Sequence, residues 1–170
     1  TDVNAVDKWK RTALLIAAYY GHVDVTKVLL QNGADVNAVN ADKQTALHVA
    51  GMNTNSEKLA KVLIQNGADV NAVDEDKQTP MHYAAQWGVV DVAKVLIQNG
   101  ADVNAVVNKE KWTPLHFAAE YGYVDVAKAL LKNGADVNAV TKGKWTALHW
   151  AATGGYIDVA KVLLQNGADV

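Results

Sequence analysis

A sequence motif of 33 or 34 residues is repeated five times along the chain. Its opening threonine recurs at Thr12, Thr45, Thr79, Thr113 and Thr146, and the run Asn-Gly-Ala-Asp-Val begins at Asn32, Asn66, Asn99, Asn133 and Asn166. A period of this size is typical of stacked supersecondary units and not of one globule built on a central sheet. We therefore expect a single solenoid domain over residues 1–170, with copies at 2–34, 35–68, 69–101, 102–135 and 136–168.

Each copy reads as helix, turn, helix, turn. The threonine suits a helix N-cap, because its hydroxyl can accept a hydrogen bond from a free first-turn N–H. Pro80 and Pro114 follow it in two copies, at the position where proline is already shaped for a helix start. The second helix has apolar residues at helical spacing and stops before a glycine such as Gly100, which suits a left-handed residue after a helix. An extended segment then leads to a polar, hairpin-like tip.

Two copies depart from the pattern. In copy two, Gly51 stands where the others have alanine, which we expect to weaken the first helix by up to about 1 kcal/mol. Its second helix is predicted to start with Asn55 or Ser56 as N-cap. Copy four has one extra residue in 106–108, and such insertions fall in loops that leave the stack intact.

Composition and motifs exclude several functions. The net charge of -2 argues against bulk electrostatic binding of nucleic acid or of a membrane surface, and no apolar run approaches the roughly 20 residues that span a bilayer. There is no cysteine, no phosphate-binding loop and no His-Glu-x-x-His motif. The acids that open the second helices occur once per copy, so they form no acid–base pair. We expect no enzyme, no catalytic residue, no metal site and no cofactor.

The repeated phrase resembles the ankyrin repeat. The resemblance rests on Thr-Pro-Leu-His at 113–116, the Ala-Ala pairs, Gly-His at 21–22 and the run Asn-Gly-Ala-Asp-Val-Asn-Ala, and it covers essentially the whole chain. It implies an all-α solenoid of five helix-turn-helix units with projecting β-hairpin-like loops. In that family the hairpins and first helices line a concave groove that binds protein partners.

The recurring histidines, His48, His82, His116 and His149, have two interpretations. A ladder of metal ligands would need side chains that converge on one ion, whereas equivalent positions on stacked helices lie about 10 Å apart. The ankyrin resemblance implies structural hydrogen bonds beside the capping threonines, and we prefer that interpretation.

The positions that differ between copies are the candidates for partner contact. They lie just before the threonine, within the first helix and at its end, which resemble the target-contacting positions of ankyrin repeats. The candidate partner-binding residues are Trp9, Arg11, Tyr20, Gln44, Gln78, Tyr83, Trp87, Trp112, Phe117, Tyr121, Trp145 and Trp150. Exposed aromatics on a rigid surface are typical of interface hot spots. The alternative is that tryptophans such as Trp112 and Trp145 only cover the hairpin stack.

The partner is therefore expected to be a protein, or to be absent if the array is a purely structural design. The near-identity of the copies favours an engineered or consensus-derived array, while the irregular copy two favours the trimmed ankyrin domain of a natural intracellular, cytoplasmic protein. Charge is uneven, since copy three has five acids and two lysines and copy five has three lysines and two acids. This asymmetry could steer a partner.

Two further expectations concern the backbone and the ends. A lysine stands two residues before each threonine, where the ankyrin consensus has a left-handed glycine, so each lysine would cost roughly 1 kcal/mol if that conformation persists. Neither end shows a polar capping repeat, which stacked arrays normally need. We therefore expect exposed apolar surface around Val28 and Val162, and weak end-to-end self-association.

Overall fold

The computed structural model describes residues 2–107 and 109–170, and Asn108 of the predicted insertion lies outside them. Ten α-helices form within these residues, two in each predicted copy. The bounds are α1 Ala13–Tyr19, α2 Val23–Gln31, α3 Ala46–Met52, α4 Glu57–Gln65, α5 Pro80–Trp87, α6 Val90–Gln98, α7 Pro114–Glu120, α8 Val124–Lys132, α9 Ala147–Gly154 and α10 Ile157–Gln165. The predicted all-α solenoid is confirmed.

Local chemistry sets where the helices begin and end. All five first helices have the recurring threonine as N-cap, and α5 and α7 begin with proline. Each second helix carries an acid at its second position or its first, where a negative charge suits the helix dipole. The chain leaves these helices through a left-handed glycine, for example Gly100 with φ of 85°.

The loops between copies are short hairpin-like turns. In the first, Asp7 N donates to Arg11 O at 3.0 Å and Lys10 N donates to Asp7 O at 3.0 Å, and the same pairing recurs in copies two, three and five. The turn of copy four is one residue longer, with bonds from Val107 N to Trp112 O at 2.9 Å and from Lys111 N to Val107 O at 3.2 Å. A single β-bridge, between Val107 and Trp112, is formed within the described residues. The lysine of each turn has positive φ: 60° at Lys10, 61° at Lys43, 66° at Lys77, 57° at Lys111 and 60° at Lys144. The expected left-handed conformation is therefore confirmed.

Neighbouring copies are joined by polar as well as apolar contacts. Asn71 shows the recurring pattern: its side chain donates to Gly100 O at 3.2 Å and accepts from Asp102 N at 2.8 Å. Equivalent bonds are made by Asn4, Asn37, Asn104 and Asn138. Between the helices a continuous core of buried leucine, valine and alanine runs the length of the array. Each copy is thus held in place by its neighbours, and the same contacts position the loops.

Copy two corrects one expectation. Gly51 was expected only to weaken α3, but a Cβ added there would lie 2.9 Å from Pro80 O and 3.0 Å from the Tyr83 Cβ. The glycine allows α3 and α5 to approach more closely than an alanine would. Ser56 is the N-cap of α4, as predicted, although its side chain makes no capping hydrogen bond.

The two ends of the array correct a second expectation. Val28 is 56% exposed, as expected, but Val162 at the equivalent position is only 8% exposed. This position faces the preceding copy, so it is uncovered in copy one and covered in copy five. The apolar side chains exposed at the C-terminal end include Ile157 and Leu164, at 68% and 45%, and the terminal Val170.

Candidate protein-binding surface

In copies two to five, a threonine–histidine pair fixes the base of the hairpin and the start of the first helix. In copy two, the backbone N–H of Thr45 donates to His48 Nδ1 at 3.1 Å. Because Nδ1 is an acceptor there, the proton of the neutral ring is on Nε2, which donates to Gln78 O of copy three at 3.0 Å. The equivalent bonds run from His82 to Trp112 O at 3.4 Å and from His116 to Trp145 O at 3.2 Å. These two rings also lie within hydrogen-bond distance of a second carbonyl, Ala105 O or Ala139 O.

These bonds give the three buried histidines the structural role that the sequence predicts. Burial lowers the pKa of His82 to about 4, and it also lowers the pKa of His48 and His116. Each ring therefore stays neutral and ties its copy to the next. In residues 2–107 and 109–170, no three His, Cys, Asp or Glu side chains are grouped so that they could hold a metal ion.

Three of the five first helices end at an exposed aromatic side chain, while copies two and five have Asn53 and Gly154 there, and we call these three residues the aromatic row. Tyr20, Trp87 and Tyr121 occupy equivalent positions and are 66%, 52% and 42% exposed. The tips add Trp9 at 52% and Trp145 at 38%. These five predicted contact residues are open to solvent.

Two predicted contact residues lie in the core instead. Tyr83 and Phe117 are each 8% exposed. The Tyr83 hydroxyl accepts from Gln44 Nε2 at 2.8 Å and donates to the buried Asp74 Oδ2 at 2.7 Å, and burial raises the pKa of this tyrosine. Their position in the first helix is covered by the hairpin of the same copy, which variation between copies could not reveal. Tyr83 supports the surface from beneath, and Phe117 reaches it only through the small part of its ring that lines a groove described below.

Tryptophans of copies four and five pack together. The Trp150 ring centroid lies 4.6 Å from that of Trp112 and 4.6 Å from that of Trp145, and Trp112 lies 4.9 Å from Phe117. Trp112 and Trp150 are partly buried by these contacts. Trp112 and Trp145 therefore cover the hairpin stack, and part of each ring is still open to solvent for contact with a partner.

The first tip has a different chemistry. Lys8 Nζ lies 4.1 Å and Arg11 Cζ 4.5 Å from the Trp9 ring centroid, which suits cation–π contacts. Arg11 is also paired with Asp7 at 2.7 Å. Trp9 and Arg11 are thereby held in fixed positions on an exposed tip.

Two grooves lie along this face. The first, of about 200 Å³, is between copies one and two. Its lining residues are Arg11, Leu15, Ile16, Tyr19, Tyr20, Asn40, Gln44, Val49 and Met52. Hairpin residues and helix ends therefore line one groove.

The second groove, of about 290 Å³, lies between the tips of copies three and four. It is lined by Asp76, Gln78, Val107, Glu110, Trp112, Phe117 and Glu120. Sequence reasoning included Gln78, Trp112 and Phe117 but missed the carboxylates as part of a site. The signal available was that Asp76 and Glu110 occupy equivalent positions three residues before the threonine.

A family model for ankyrin repeats (3 copies) matches residues 1–74, 52–141 and 106–170. The chain belongs to the ankyrin repeat family. A stretch of 49 residues is 47% identical to the ankyrin repeat domain-containing protein OPG015 of monkeypox virus. That stretch is 29% of this chain and 11% of the viral protein, so the chain spans only a small part of this relative.

Ankyrin repeats are generally protein-interaction modules and typically have no enzymatic activity. No helix in the described ranges is long and apolar enough to cross a membrane.

Proposed function

We propose that this chain is a non-catalytic scaffold that binds a protein partner through its hairpin tips and first helices. The observation that carries the proposal is the row of exposed aromatics at Tyr20, Trp87 and Tyr121. Large aromatic side chains held on a rigid surface dominate the energy of protein interfaces. The two adjacent grooves would receive side chains of the partner.

A purely structural array with no partner is the alternative. The hydrogen-bonded hairpins, the Asn ladder and the packed tryptophans favour neither function, because they serve the stack in both cases. The exposed aromatic row favours binding, since Trp87 and Tyr121 bury less than two thirds of their surface and a stability design gains little from them. The uniform copies fit an engineered or consensus-derived origin, and an intracellular protein fits the absence of cysteine.

The experiment compares two double variants in capture of proteins by the immobilised chain. Trp87→Ala with Tyr121→Ala removes two exposed rings that lie outside the tryptophan cluster. Lys94→Ala with Lys128→Ala removes two lysines of the second helices, each 58% exposed and paired only weakly with a nearby Asp. Circular dichroism must show that both variants remain folded.

Truncating a true anchor costs about 2 kcal/mol or more of binding, or at least about a 30-fold loss of affinity. We expect the aromatic pair to lose partners that the wild type and the lysine pair retain. If the lysine pair loses binding and the aromatic pair keeps it, the partner does not use this face.

A further inference from the structure

The groove between copies three and four has a composition that selects for one kind of side chain. Its two rims are the tips that carry Asp76 and Glu110, and its floor is the end of α7 with Glu120. Trp112 and Phe117 form the apolar wall, with ring centroids 4.9 Å apart. The groove therefore combines aromatic surface with three carboxylates in about 290 Å³.

We infer that this groove receives an arginine or lysine side chain of the protein partner. The inference rests on the proposed function and names the chemistry of the partner at one point of its interface. A basic side chain matches both features of the groove, because its aliphatic stem packs on apolar surface and its charged head pairs with carboxylates. The face of a tryptophan attracts the same cation. A neutral apolar side chain would leave the carboxylates desolvated, and an acidic one would be repelled.

The state of Glu120 supports this assignment. Partial burial at the end of α7 raises the pKa of Glu120, and a hydrogen bond with the Tyr121 side chain opposes that shift in part. Among the described residues, neither Asp76 nor Glu120 takes part in any of the ion pairs of this face or of the second helices. A cation entering between these two carboxylates would supply the charge partner that the fold does not.

The distribution of charge along the tips favours one position for a basic residue of the partner. Copy three has the largest excess of acids, with Asp74, Glu75 and Asp76 together on its tip. The tip of copy four carries Lys109 and Lys111 on either side of Glu110, and the tips of copies one and five also carry lysines, including Lys8 and Lys142. A partner segment with one basic residue would therefore meet attraction mainly at the acidic tip of copy three, which fixes its position along the face.

The test uses three blocked pentapeptides, Gly-Ser-Xaa-Ser-Gly with Xaa as arginine, lysine or citrulline. Citrulline has nearly the shape of arginine without the charge. Each is titrated into the 15N-labelled 170-residue chain, and the amide and indole N–H signals are followed by NMR. We expect saturable shifts at Trp112 and around Glu120 with the arginine or lysine peptide, and none with the citrulline peptide.

Matched variants assign the effect to the groove. Glu120→Gln should weaken binding about tenfold, since a charge-assisted hydrogen bond is lost. Glu75→Gln removes an equal charge from an exposed residue next to Asp76 on the tip of copy three, outside the groove, and should change the affinity less than twofold. The inference is overturned if no peptide gives saturable shifts, if citrulline binds as well as arginine, or if Glu120→Gln and Glu75→Gln have equal effects. None of these results affects the proposed function, which the aromatic and lysine double variants decide separately.

Discussion

The left-handed lysines make Lys144→Gly the sharpest test of how the hairpins are held. Lys144 has φ of 60°, a conformation in which a residue with a Cβ carries a cost of about 1–2 kcal/mol. Glycine has no such cost, but it loses more chain entropy on folding, by roughly 0.5–1 kcal/mol. The steric relief is the larger of the two, so we expect a net gain of about 0.5–1 kcal/mol.

The turn itself should survive the substitution. The hydrogen bonds that define it, from Lys144 N to Thr141 O at 2.9 Å and from Thr141 N to Trp145 O at 2.9 Å, both use backbone atoms. A urea melt followed by circular dichroism should therefore show a higher midpoint with an unchanged slope. In a thermal melt the shift should be roughly 1–4 °C for a chain of this size.

Lys142→Gly is the matched control. Lys142 lies in the same hairpin, is also exposed and does not have positive φ. Its replacement brings only the entropy cost of glycine, so the unfolding free energy should fall by up to about 1 kcal/mol. If Lys144→Gly also lowers the midpoint, the steric cost assigned to the left-handed lysines is wrong.

Four other outcomes are expected. Burial lowers the pKa of His82 from 6.5 in the unfolded chain to about 4. Between these pH values the unfolded state binds more protons than the folded state, so acid favours unfolding. Urea midpoints should therefore fall as the pH drops from 6.5 to 4, and the free energy of unfolding should decrease by up to about 3 kcal/mol. Gly51→Ala should lower the thermal midpoint despite the better helix propensity of alanine, because the added Cβ would lie 2.9 Å from a backbone oxygen of α5. Tyr83→Phe should cost about 1–3 kcal/mol in a urea melt, since the buried Asp74 loses its hydroxyl donor. The 170-residue chain should associate with rising concentration in sedimentation velocity, and Val28→Glu should reduce that association by placing a charge on the exposed N-terminal end.

Much of the fold could be predicted because each element has a local cause that repeats. A threonine three residues before a histidine marks the start of a first helix, and Asn-Gly-Ala marks the end of a second. The left-handed lysines could be anticipated only as a condition, from the glycine that the ankyrin consensus has at that position, and the structure gives φ of 66° at Lys77 and 57° at Lys111.

The repeat period in the sequence could not predict which face of each copy is covered by a neighbouring copy. Val28 and Val162 have the same place in the repeat, but one is exposed and the other is buried, because a repeat has two unlike faces and only one is covered at each end. The meaning of Gly51 was also hidden, since it depends on how closely α3 approaches α5. Both corrections depend on contacts between copies, which a pattern within one copy does not contain.

The same limit applies to the candidate site. Variation between copies identified a set of positions but could not separate those that face a partner from those that face the next hairpin. The structure divides them by what lies over each ring: the hairpin covers Tyr83 and Phe117, whereas Trp87 and Tyr121 are more than 40% exposed. One consequence links the two groups. Because Phe117 supports Trp112, and Trp112 in turn forms a wall of the acidic groove, a core substitution such as Phe117→Leu would alter the groove without touching any exposed residue. A variable position in a repeat array can therefore influence binding either directly or from beneath the surface.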